Sequence, residues 1–128
     1  RLSGIDQNFD ELKINQGLIL SILNEKKFDR DLKCYEFKIF SQWGEDGIIQ
    51  HLINTIEIKN KTFIEFGVED FFESNCRFLL MKDDWHGFVI DGSESNIQKL
   101  KASYFFWKHN LQAVCKFITK DNIKNILK

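Results

Sequence analysis

The chain has 128 residues, enough for one domain that hides roughly two-thirds of its unfolded surface. Its hydrophobic content of 43% and its thirteen phenylalanines exclude a disordered segment, and a formal net charge of −1 excludes a whole-chain attraction to nucleic acid phosphates. No apolar run approaches the roughly 20 residues that span a bilayer, so no membrane partner is expected.

The three cysteines, Cys34, Cys76 and Cys115, are far apart and lack metal-ligand spacing. They read as reduced thiols of a cytoplasmic protein rather than a secreted disulfide framework. His51, His86 and His109 show no ligand spacing either, and no metal is expected. The chain contains no proline and starts at Arg1, which suggests a fragment.

Residues 5 to 27 predict an amphipathic helix with Ile5, Phe9, Leu12, Ile19, Ile22 and Leu23 on one face. That face needs a surface to cover, either the body of the domain or a partner. Gly17 inside the helix costs about 1 kcal/mol relative to alanine. Residues 28 to 40 read as irregular, which sets a helical segment 1–35 apart from a domain 36–128. A second helix is expected within 40 to 56, entered flexibly through Gly44 and Gly47, with Ile48, Ile49, Leu52, Ile53 and Ile56 as its apolar face. Glu45 and Asp46 fall in its first turn, where the helix dipole favours negative charge.

A polar turn over 57–61 leads to a short strand, Thr62 to Phe66, ended by Gly67. A helix over about 74–82 follows, with Ser74 as its N-cap and Cys76, Phe78, Leu79 and Leu80 on its buried side. His86 to Ile90 is the second strand, and a helix over about 94–109 buries Ile97, Leu100, Tyr104 and Trp107. Leu111 to Ile118 is the third strand, and Thr119 or Asp121 caps a last helix. Trp43, Trp85 and Trp107 read as packing anchors. Alternating strands and helices imply an α/β, Rossmann-like parallel sheet preceded by two helices. Only three strands are encoded, so the sheet is expected to be incomplete, with one edge open to a homo-oligomeric partner.

The ends of the first two strands carry Glu65, Gly67, Asp91 and Ser93. A carboxylate at the end of a second strand can accept hydrogen bonds from both hydroxyls of a ribose. Gly67 to Asp91 has about the spacing of a dinucleotide site, but the loop reads GVEDFF and lacks the further glycines of the pyrophosphate turn. Its acids Glu69, Asp70 and Glu73 would repel a pyrophosphate, which argues against a nicotinamide dehydrogenase. A cofactor with a sulfonium and a free amine suits such a loop better.

FSQWGEDGII (40–49), TFIEFGV (62–68), ESNCRFLL (73–80) and GFVIDGS (87–93) together resemble the N-terminal half of an FkbM-like, class I S-adenosylmethionine-dependent methyltransferase. The resemblance covers about residues 36–127, and the S-Q-x-G-E-D preamble is its most specific part. It implies S-adenosylmethionine as cofactor, with Glu65 and Gly67 against the methionine moiety and Asp91 holding the ribose hydroxyls. It further implies that Asp121 and Asn122 lie in the region that contacts adenine, and that Gln42, Glu45 and Asp46 lie near the cofactor pocket. Glu69 stands where the family has its second motif glycine. The activity implied is O-methylation of a sugar or other small hydroxylated acceptor, and the resemblance names no catalytic base. The alternative is a non-catalytic interaction module that assembles through the open sheet edge or the first helix.

Overall fold

A computed structural model describes residues 2–128, with side chains from Gly4 onward. Helix α1 (Leu2–Glu25) leads through a 3-10 turn at Leu32–Tyr35 to α2 (Glu45–Thr55). There follow β1 (Thr62–Phe66), α3 (Arg77–Asp83), β2 (His86–Asp91), α4 (Glu94–Ala102), α5 (Tyr104–Lys108), β3 (Leu111–Cys115) and α6 (Ile123–Ile126). The strands form one parallel sheet in the order β1-β2-β3. Thr62 is in register with His86, and Gly87 with Leu111. The fold is therefore an α/β, Rossmann-like open sheet whose strands all end on the same side.

Side chains alternate between sheet faces. Phe63, Val89 and Leu111 share one face and pack with Leu79 and Leu80 of α3, Leu100 of α4 and Phe105 of α5. The other face of β1 presents Ile64 and Phe66, both more than half exposed.

Helix α1 is turned opposite to a simple amphipathic packing. Asp10, Gly17, Ser21 and Asn24 are buried against the domain, while Ile5, Phe9, Leu12, Ile19, Ile22 and Leu23 face outward. Specific polar contacts hold the buried side. Arg77 donates to Asp10 at 2.6 Å, Asn24 donates to the Tyr35 carbonyl at 2.8 Å, and Ser21 reaches Gln50 at 3.5 Å. Gly17 lets the helix approach α3, because a Cβ there would lie 2.4 Å from Cζ of Phe78. Gly47 likewise does not loosen the entry to α2: a Cβ would lie 2.0 Å from the Tyr35 carbonyl oxygen.

The helix expected over 94–109 is two helices. Ser103 adopts extended backbone, and its hydroxyl donates to the Leu100 carbonyl at 2.6 Å, so side-chain hydrogen bonding competes with helix continuation there. The break buries Phe105 and turns Trp107 to solvent. Trp43 is exposed as well, so of the three tryptophans only Trp85 packs in the core. Strand β3 ends at Cys115, short of Ile118. His51 of α2 stacks on Tyr35, with ring centroids 3.6 Å apart.

Candidate functional site at the carboxyl edge of the sheet

Each acid at a strand end is already engaged. Glu65, leaving β1, accepts from the Ser74 hydroxyl at 2.5 Å and from the backbone N–H groups of Asn75 and Cys76 at 3.2 and 3.1 Å. It therefore caps the start of α3 from a neighbouring strand. The residue in the N-cap position is Cys76, and Ser74 acts two residues upstream, its hydroxyl accepting from the Cys76 N–H at 3.2 Å. Burial, and then the Glu65 carboxylate beside it, push the Cys76 thiol far above its ordinary range.

Asp91, leaving β2, is 8% exposed. Its Oδ1 accepts from the Glu69 N–H at 2.9 Å. Its Oδ2 accepts from the Ser93 N–H at 3.0 Å and from the Asn96 amide at 3.3 Å. A carboxylate has about four lone-pair positions, so room remains for about one more donor while the loop keeps this conformation. Ser93 caps α4 by accepting from the Asn96 N–H at 3.3 Å.

The loop between β1 and α3 bends through left-handed backbone at Gly67, Glu69 and Phe71, with φ of 72°, 54° and 65°. Only glycine adopts this region without a steric cost. Glu69 thus occupies a position whose geometry asks for glycine. Phe71 is fully buried at the next turn of the loop, stacked on Phe63 with ring centroids 6.3 Å apart.

Gly67 separates two clefts. One, of about 270 Å³, is lined by Gln42, Glu65, Gly67, Val68, Glu69, Glu73, Ser74 and Asn75. Its three carboxylates favour a cation. The other, of about 460 Å³, is lined by Phe66, Gly67, Ile90, Asp91, Gly92, Ser93, Lys116, Phe117 and Ile118, and is mostly apolar. Five of the seven residues singled out from sequence, Gln42, Glu65, Gly67, Asp91 and Ser93, therefore line these clefts.

Asp121 and Asn122 line neither cleft. Asn122 instead closes the turn after β3: its Oδ1 accepts from the Thr119 N–H at 2.8 Å and its amide donates to the Phe117 carbonyl at 2.8 Å. Asp46 also has a structural task. Its Oδ2 accepts from the N–H groups of Ile39, Phe40 and Ser41 at 2.7 to 2.8 Å and from the Ser41 hydroxyl at 3.0 Å. Glu45 folds back onto the N–H groups of Trp43 and Gly44, both at 3.0 Å. Burial opposes its ionisation, yet the backbone N–H groups around it prevail and hold its carboxyl below the ordinary range. Residues 41–44 thus form a loop held by the carboxylates of Glu45 and Asp46 at the start of α2, and Gln42 of that loop lines the acidic cleft.

Sequence reasoning did not single out Phe117 or Lys116 as cleft residues. Their signal was position alone, one and two residues beyond β3 at the same sheet edge as Asp91. No family model, curated protein or solved structure matches this chain.

Proposed function

We propose that this sheet edge binds S-adenosylmethionine as the cofactor half of a methyltransferase acting on a sugar or other small hydroxylated acceptor. The observation that carries the reading is the pairing of an acidic and an apolar cleft on either side of Gly67, with Asp91 at the rim of the apolar one. A ligand that is cationic at one end and a flat heterocycle at the other matches that polarity. Glu65, Glu69, Glu73 and Gln42 would hold the ammonium and sulfonium groups, and Asp91 would accept from a ribose hydroxyl. Phe117 and Ile118 would flank the adenine. When bound, the sulfonium supplies an electrophilic methyl group. The residues here would orient it, and orientation of two reactants can supply up to roughly 7–11 kcal/mol of a transfer barrier.

Isothermal titration with S-adenosylmethionine tests the reading. Saturable binding that weakens at least about tenfold in Asp91→Ala, a loss of roughly 1.4 kcal/mol, is the expected result. Absence of binding, or affinity unchanged by Asp91→Ala, would overturn it.

A further inference from the structure

The outer face of α1 repeats with a period of 3.5 residues. Ile5, Phe9, Leu12, Gln16, Ile19 and Leu23 are spaced by four, three, four, three and four. This is the alternating spacing of a coiled-coil seam. The five apolar members are each at least half exposed, with Leu12 at 65%. The opposite stripe, Asp10, Gly17, Ser21 and Asn24, is the one buried on the domain. We propose that the outer face of α1 pairs in parallel with α1 of a second copy of this chain, forming a two-stranded coiled coil.

Three observations favour that occupant. With Ile22 at their flank, the five apolar residues expose on the order of 700 Å², an upper limit on what the stripe can bury that approaches the roughly 800 Å² each partner contributes to a standard interface. Gln16 is the single polar residue of the seam, and parallel in-register pairing sets it opposite Gln16 of the second copy, where the two amides can hydrogen-bond. Antiparallel packing would set it against Leu12 or Ile19 and leave a buried amide unsatisfied. The flanking residues Asn8, Lys13 and Asn15 create no like-charge pair across a parallel seam, and the domain body lies on the far side of each helix. An anionic lipid surface fits less well. Along α1 the acids Asp6, Asp10, Glu11 and Glu25 face one base, Lys13, whereas interfacial helices are rich in lysine and arginine.

The proposal is independent of cofactor binding. Sedimentation equilibrium at protomer concentrations of about 10–100 µM, a range suited to a seam of about three heptads, tests it. The expected result is a dimer that becomes monomeric in Leu12→Glu and stays dimeric in Ile64→Glu, which alters the open sheet face instead. In a Cys34→Ser background, Gln16→Cys is expected to form an interchain disulfide on mild oxidation. A monomer across that range, or a dimer that survives Leu12→Glu, would overturn the proposal. Far-ultraviolet circular dichroism of Leu12→Glu matching the parent is expected, because Leu12 touches solvent in the protomer.

Discussion

Arg77 Nη2 donates to Asp10 Oδ2 at 2.6 Å, joining side chains 67 residues apart that are 1% and 7% exposed. The guanidinium lies 4.0 Å from the centroid of the Phe40 ring and 4.6 Å from that of Phe105, and its Nη1 donates to the Phe72 carbonyl at 2.9 Å. The Tyr104 hydroxyl also donates to Asp10 Oδ2. This cluster fastens α1 to α3 and α5. Burial lowers the Arg77 pKa, opposed by Asp10 and Tyr104, so the guanidinium depends on its acidic partner. Asp10→Ala should cost about 3–5 kcal/mol, because it leaves a buried cation uncompensated. Replacing both members by apolar residues, Asp10→Leu with Arg77→Met, should cost less than the single change. Urea unfolding of the three proteins checks the order.

Gly17→Ala should destabilise by about 1–3 kcal/mol, although alanine is the better helix former by about 1 kcal/mol. The added methyl would lie 2.4 Å from Phe78 and 3.0 Å from Ile39. Gly4, in the same helix with nothing within 4 Å of its notional Cβ, is the control, and Gly4→Ala should be neutral or slightly stabilising. Thermal denaturation of both variants separates crowding from propensity.

Stability should fall on the alkaline side because of Cys76. Its folded pKa is raised by burial and by Glu65, so the folded state keeps a proton that the unfolded chain releases above about pH 8.5. The contribution is fully present below that pH and is lost as pH rises toward the folded value, at no more than about 1.4 kcal/mol per pH unit. Cys76→Ala should flatten this slope between about pH 8.5 and 10, as read from urea midpoints at fixed ionic strength.

Hydrophobic periodicity was enough to read the strand–helix alternation and the parallel sheet, because β1, β2 and β3 are short apolar runs closed by polar turns. The strand-end residues Glu65, Gly67, Asp91 and Ser93 could be placed for the same reason, since in a parallel sheet every strand end falls on one edge. The facing of α1 could not be read, because an apolar stripe does not reveal whether it meets its own domain. The decisive contacts, Asp10 with Arg77 and Gly17 with Phe78, join residues more than 60 positions apart. The break at Ser103 and the tasks of Asp46 and Asn122 were hidden similarly. Each depends on which backbone N–H or carbonyl a short polar side chain reaches.

The bond from the Glu69 N–H to Asp91 gives the carboxyl edge an internal competitor. The backbone of the β1–α3 loop already occupies one of the positions where a diol would dock. Oδ1 keeps one acceptor position beside this tether, whereas Oδ2 is filled by the Ser93 N–H and the Asn96 amide, so a ligand that needs both oxygens of Asp91 would first have to displace a donor from Oδ2. The left-handed Glu69 that makes the tether is itself held at a steric cost. Release of the loop would return part of that cost, so the hydrogen bond to Asp91 is opposed by the backbone strain it maintains.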